Sequence, residues 1–236
     1  MKKKSLLEDG PTKKIFETDD PDLQIVEFKD AEAIYDDEHI NAVKGKADVN
    51  SQLSSQLLEY LQGFHVPTYF VRTEPKHSMV VRTLDIIPIQ LMMRNCAAGT
   101  LCKRFGLNEG KVLDIPILEY YLKNNTDEYQ LINSSHAVSF SLATADELRT
   151  IDRLASKINA VLKSFFERRD IKLVDFKLEF GRHKGKLMVG GEISLDTFRL
   201  WDISDEGYFD KKKFSLAGDR AEPGFEEIKN RLFSTD

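Results

Sequence analysis

Only two cysteines occur in 236 residues, Cys96 and Cys102. They are too few and too close for a disulfide framework, and they lack the partners of a zinc site. A reducing cytoplasm suits such a chain. Nowhere do about 18 apolar residues run together, so no transmembrane helix is expected. The opening Met1-Lys-Lys-Lys-Ser-Leu-Leu-Glu has the basic start of a signal peptide, but only two apolar residues precede the return of charge, and no export is expected. Basic charge is not in excess either: 34 Lys and Arg face 39 Asp and Glu, a net charge of -5. That excludes a global basic field for nucleic acid, so any phosphate must be held by a local cluster. The five histidines, His39, His65, His77, His136 and His183, form no ligand-spaced pair. No Walker-type loop is present, since Gly10-Pro-Thr-Lys-Lys lacks the spacing.

What the chain does have is 41% hydrophobic residues, enough for one large domain or two small ones sharing a cleft. Lys14 to Thr18 and Leu23 to Lys29 read as a hairpin turned through Asp19-Asp-Pro-Asp22. The charged stretch Asp30 to Asn50 reads as an exposed loop. Leu53, Leu57, Leu58 and Leu61 have helical spacing within Val49 to Phe64. Strand-like runs follow at Thr68 to Arg72, Met79 to Thr83 and Ile86 to Met93, the last with Pro88, which suggests an edge or a bulge. A short helix leads to Gly106. The longest helix opens on the capping box Thr144-Ala-Asp-Glu147 and carries Leu148, Ile151, Leu154, Ala155, Ile158, Val161, Leu162 and Phe165 on one face. Ile171 to Gly181 and Lys186 to Ser194 read as strands. This order predicts an α+β chain with antiparallel sheets, divided near Thr83 to Pro88 into a β-rich lobe, 1–84, and an α+β lobe, 85–236.

Two constellations carry chemistry. In Lys172-Leu-Val-Asp-Phe-Lys-Leu-Glu-Phe-Gly181, alternation puts Val174, Phe176, Leu178 and Phe180 on one face and Asp175, Lys177 and Glu179 on the other. Glu192, Asp196 and Arg199 follow. Hard oxygen ligands at this density suit Mg²⁺, and a solvated hairpin with cross-strand ion pairs is the plainer reading. In Met93-Arg-Asn-Cys-Ala-Ala-Gly-Thr100, small residues ahead of a helix let backbone approach an anion, and Arg94 can grip carboxylate or phosphate with two nitrogens. A tightly packed strand-to-helix turn is the alternative.

Leu173 to Gly181 resembles the signature of SAICAR synthetases, Arg94-Asn-Cys-Ala-Ala-Gly-Thr100 resembles their second signature, and Glu192 to Asp202 a third. All three stand in the family's order, and weaker similarity runs from about Leu6 to Lys213. The resemblance implies a two-lobed fold related to ATP-grasp enzymes, with nucleotide between the lobes. It also implies an ATP-dependent ligase that condenses carboxyaminoimidazole ribotide with aspartate, using Mg²⁺. Residue by residue it implies Lys13, Lys177 and Glu179 at nucleotide phosphate, and Glu179 at the metal. Lys177 and Asp175 take catalytic roles, with Asp175 beside the ribotide, and Arg94, Thr100 and Arg199 surround the ribotide and its phosphate. Self-association into a homo-oligomer is compatible with it; nucleic acid and membrane are not expected as partners.

The departures are specific. Pro11 stands for the first lysine of the family's Gly-Lys-Ala-Lys, Gly191 for an aspartate, Gln90 for a glutamate, Tyr129-Gln130 for Asp-Pro and Ser215 for an arginine. Asp30-Ala-Glu-Ala-Ile lacks the usual second acid and hydroxyl. They define a second reading, a paralogue with a degenerate ATP site that binds the ribotide as a regulator or ligates another amine.

Overall fold

The computed structural model describes residues 1–123, 130–203 and 209–233. Its first sheet contains β1 (Lys3–Asp9), β2 (Lys13–Thr18), β3 (Leu23–Phe28), β6 (Phe70–Glu74) and β7 (Ser78–Arg82) in the order β1-β2-β3-β7-β6. All its pairings are antiparallel. The expected hairpin is β2 and β3, and β1 adds an outer strand exposed along its whole length. With no buried face, β1 shows no apolar alternation to read.

The helix α1 (Lys46–Gly63) contributes Leu53, Leu57, Leu58 and Leu61 to the core, each fully buried. It begins three residues before the expected Val49 because Asp30 accepts hydrogen bonds from the amides of Gly45 and Ala47, at 2.9 and 2.7 Å. A carboxylate there satisfies orphan amides and complements the helix dipole. The reading of Asp30 to Asn50 as an exposed loop is therefore corrected. Besides the helix start, it contains a two-stranded unit of its own, β4 (Ala33–Tyr35) and β5 (Glu38–Ile40). Tyr35, Val43 and Lys46 within it are buried.

The second sheet is built on two long neighbours, β8 (Asp85–Cys96) and β11 (Ile171–His183). Around them lie β9 (Val112–Leu122), β10 (Gln130–Ile132), β12 (Lys186–Gly190), β13 (Phe198–Ile203) and β14 (Phe209–Asp210). The order is β10-β9-β8-β11-β13-β14, with β12 also paired to β11. Pro88 lies in an interior strand, not an edge. The register of β8 against β11 slips between Gln90 and Ile86, the irregularity that an interior proline requires. The strand expected over Lys186 to Ser194 ends at Gly190, because Gly191 turns into the left-handed region with φ 70°.

Helices α2 (Gly99–Phe105), α3 (Ser134–Ser139), α4 (Ala145–Glu167) and α5 (Ala221–Phe233) complete the described chain. The capping box of α4 forms as read, Glu147 N–H donating to Thr144 Oγ1 and Thr144 N–H to Glu147 Oε2. Such a cap stabilises a helix by about 1 kcal/mol. One continuous apolar core joins Val26 of the first sheet, Leu57 of α1, Phe166 of α4, Phe176 of β11 and Leu232 of α5. Trp201 packs in a smaller cluster with Cys96, Ala98 and Val174. Among the described residues no helix is long and apolar enough to cross a membrane.

Candidate active site

Register creates the site. Asp175 on β11 stands opposite Arg94 on β8 and opposite Arg199 on β13, so three charged residues from distant parts of the chain form one row across three strands. The plainer reading, a solvated face, is excluded: Asp175 and Arg94 are fully buried and Arg199 is 6% exposed. Charges persist at such depth only when paired and hydrogen-bonded.

Asp175 Oδ2 accepts from Arg94 Nη1 and Arg199 Nη1, both at 3.1 Å, and its Oδ1 accepts from the Tyr35 hydroxyl at 2.8 Å. Burial, opposed by Arg199 and Arg94, raises Asp175 above the usual carboxylate range. Arg94 Nε donates to Glu119 Oε2 at 2.6 Å, and Arg104 and Tyr121 also reach Glu119. The remaining faces of the two guanidinium groups meet Asp36. Its Oδ2 lies 3.1 Å from Arg94 Nη1 and 3.2 Å from Arg199 Nη2, and its Oδ1 lies 3.2 Å from Arg94 Nη2. Thr100 donates its hydroxyl to Asp36 Oδ1 at 2.5 Å and its amide to Oδ2 at 3.2 Å. Arg94, Thr100 and Arg199, which the family resemblance places around the ribotide, thus converge on an anion, and that anion is a side chain of the same chain.

Along the same face of β11, Lys177 Nζ donates to the Ile34 carbonyl at 3.4 Å and lies 4.9 Å from the centre of the Tyr35 ring. Burial lowers its pKa against the pull of Asp36 and Glu179. Glu179 pairs with Lys123 at 2.9 Å. Lys13 reaches across from β2 to Glu192 Oε1 at 2.9 Å, with Thr12 Oγ1 on the same oxygen at 2.8 Å. Burial opposes the charge of Lys13, and Glu192 and Glu179 together outweigh it and raise its pKa. Asp196 is held by Lys46 at 2.8 Å and Asn50 at 2.7 Å. Both acids that could replace an aspartate at Gly191 are therefore already paired.

Among the described residues no group of three or more His, Cys, Asp and Glu side chains converges to hold a metal. Mg²⁺ commonly takes one or two carboxylates with substrate phosphates, so this donor set fits a nucleotide-borne ion and not a protein-built cage. Gln90 is buried opposite Glu179. Ser215 braces the turn before α5, its hydroxyl accepting from Ala217 N–H at 3.3 Å. Tyr129 lies outside the described residues. Sequence reasoning missed Asp36, Tyr35 and Glu119. The one available signal was a two-residue turn, Asp36-Asp37, between Ile34-Tyr35 and Ile40, with Asp-Asp in place of the usual Asn-Gly or Asp-Gly.

The SAICAR synthetase family model matches residues 6–232. A phosphoribosylaminoimidazole-succinocarboxamide synthase from Chloroherpeton thalassium is 43% identical over 232 residues, covering 98% of this chain and 99% of that protein. The crystal structure of the synthase from Ehrlichia chaffeensis superposes with a TM-score of 0.87 at 34% identity, covering 98% of this chain and 100% of the other. A SAICAR synthetase in complex with ADP gives 0.86 at 35%, covering 97% of each chain. Fold and site together define a two-lobed α+β ligase of the kind related to ATP-grasp enzymes. Within that class, the chain belongs to the SAICAR synthetase family.

Proposed function

We propose that the row Arg94, Asp175 and Arg199 with Thr100 binds the ribotide, and that Lys13, Lys177 and Glu179 face the nucleotide. The enzyme is an ATP-dependent ligase of purine biosynthesis, condensing carboxyaminoimidazole ribotide with aspartate to give SAICAR, ADP and phosphate. In this reaction the γ-phosphoryl group passes to the ribotide carboxylate and ADP leaves. The aspartate amine then attacks the acyl carbon, and phosphate departs with one carboxylate oxygen. Catalysis of this kind rests on positioning and on charge placed where it develops.

The observation that carries the residue assignment is the two-sided register of Asp175, which sets both arginines against one carboxylate. Lys177, two residues along, points from the same strand face toward the segment that covers the arginines. Lys177 would neutralise the transferring phosphoryl group and Asp175 would orient the ribotide. Glu179 would be the protein carboxylate for a Mg²⁺ ion brought with the nucleotide, which would supply neutralisation of phosphate charge. The last strand of the first sheet in chain order ends at Arg82 and the second sheet begins at Asp85, which supports lobes of 1–84 and 85–236. Free Cys96 and Cys102 support a cytoplasmic setting. Self-association belongs to this reading as well, and light scattering would check it.

The degenerate-site reading is not favoured, because a named synthase is similar over the full length. The test is direct: with ATP, Mg²⁺, the carboxylated ribotide and aspartate, the protein releases ADP and phosphate and restores purine-free growth to a strain lacking the synthetase. Absence of turnover with aspartate would sink the assignment.

A further inference from the structure

Three consecutive residues of one small hairpin cover the site. Ile34 accepts from Lys177 through its carbonyl, the Tyr35 hydroxyl donates to Asp175, and Asp36 takes Arg94, Arg199 and Thr100. The hairpin β4–β5 turns through Asp36 and Asp37, both in the left-handed region with φ 49° and 71°, and joins neither larger sheet. A two-stranded unit of three-residue strands is marginally stable alone; Ala33, Tyr35 and Ile40 tie its strands to the core, and the turn at Asp36 is held by these site contacts. The cradle beneath is built for close approach. Gly99 has φ 51°, and a Cβ there would stand 2.0 Å from Asp36 Oδ2. Only glycine lets an anion settle so deeply.

We propose that Asp36 is an internal occupant of the anion cradle and sets its selectivity, so that a phosphate monoester displaces it and a simple carboxylate does not. The inference rests on the assignment of Arg94, Thr100 and Arg199 to the ribotide. Its physical basis is a comparison of what each anion brings. Asp36 holds one negative charge in the cradle and Glu38, 3.4 Å from Arg199 Nη2, holds another at its rim. Lifting the hairpin removes both, and a phosphate monoester returns about two negative charges and three acceptor oxygens. Arg199 Nε is buried without a hydrogen-bond partner among the described residues, so the carboxylate leaves a donor unused. An incoming carboxylate group, whether on a mono- or a dicarboxylate, brings to the cradle the same single charge and two oxygens that Asp36 already supplies, and gains nothing to offset its own ordering. The amino-acid substrate, itself a carboxylate, is thereby kept out of the site meant for the ribotide's phosphate. Apparent affinity for phosphate esters is correspondingly reduced by the fraction of molecules with the hairpin open.

The test compares Asp36→Asn and Asp36→Ala with the natural protein, using ribose 5-phosphate and succinate as calorimetric probes. The expected result is binding of ribose 5-phosphate about tenfold tighter in Asp36→Asn, with succinate binding appearing only in the variants. Unchanged or weaker ribose 5-phosphate binding in a folded variant overturns the proposal. A measurement on the natural protein stands beside this should the variants not fold. Amide hydrogen exchange over residues 33–40 is expected to rise when ribose 5-phosphate binds, and increased protection there overturns the proposal. Because neither readout involves turnover, failure here is distinguishable from failure of the ligase assay.

Discussion

Arg94 Nη1 lies 3.1 Å from Asp36 Oδ2 and 3.1 Å from Asp175 Oδ2, so one buried nitrogen bridges two carboxylates, one on the β4–β5 turn and one on β11, elements that share no sheet. Glu119 takes the Nε of the same guanidinium. Arg94 is thus as much a structural cation as a ligand for substrate, and this governs what its substitution reports.

Arg94→Ala leaves Asp36, Asp175 and Glu119 short of a counter-charge in a buried place. Removing one partner of a buried pair costs about 3–5 kcal/mol. Urea denaturation should show a loss of that size, and Arg94→Lys should recover only part of it, since an ammonium cannot reproduce the planar fork. A loss below about 1 kcal/mol would mean that the network relaxes around solvent.

Lys177→Ala addresses chemistry apart from folding. If its ammonium meets the transferring phosphoryl group, ADP release should slow by about 10²–10³-fold, the usual effect of removing one preorganised donor. Cooperative thermal unfolding should be retained. A variant that only raises KM, with kcat unchanged, would place Lys177 in ground-state binding.

Gly191→Asp probes the missing carboxylate. Gly191 has φ 70°, and a Cβ built there lies 3.0 Å from Glu179 Oε2, so the variant carries strain of about 1–2 kcal/mol and sets like charges together. Its melting temperature should fall without Mg²⁺ and recover with Mg²⁺-ATP, while its ATP affinity becomes more Mg²⁺-dependent than that of the natural protein. Equal Mg²⁺ dependence in both, by calorimetry, would show that Glu179 suffices.

Arg182 holds Glu147 at a pKa of about 2, against a smaller burial penalty and with help from Thr144. The folded value lies below the ordinary 4.5, so the stabilisation is complete above about pH 4.5 and is lost as pH falls toward 2. Carbon-detected NMR titration of Glu147 should show the low midpoint, and Arg182→Ala should return it toward the ordinary range. A midpoint near 4.5 in the natural protein would remove the claimed contact from solution.

The residues legible in the sequence belong to local strings. Alternation along Leu173 to Gly181 places Asp175, Lys177 and Glu179 on one face whatever they meet, because strand geometry has period two. The capping box at Thr144 and the apolar stripe of α4 are likewise contained in one segment, and they form as read. The family signatures are short strings of the same kind, which is why membership could be read before any contact was known.

Partnership belongs to the tertiary structure. Asp175 meets Arg94, 81 residues earlier, and Arg199, 24 residues later, only through the registers of β8 and β13 on either side of β11. Asp36 looked like part of a solvated loop because burying a carboxylate is unfavourable unless cations await it, and its cations lie 58 and 163 residues away. Distance along the chain likewise hid Asp30 as the cap of α1, Lys13 as the half-buried partner of Glu192 and Lys46 as the buried partner of Asp196. Which residues could bind an anion was decided locally by residue type and spacing. Which anion sits there in the free protein was decided by the fold, since only packing brings the β4–β5 hairpin over the arginines and makes the burial of its charge favourable.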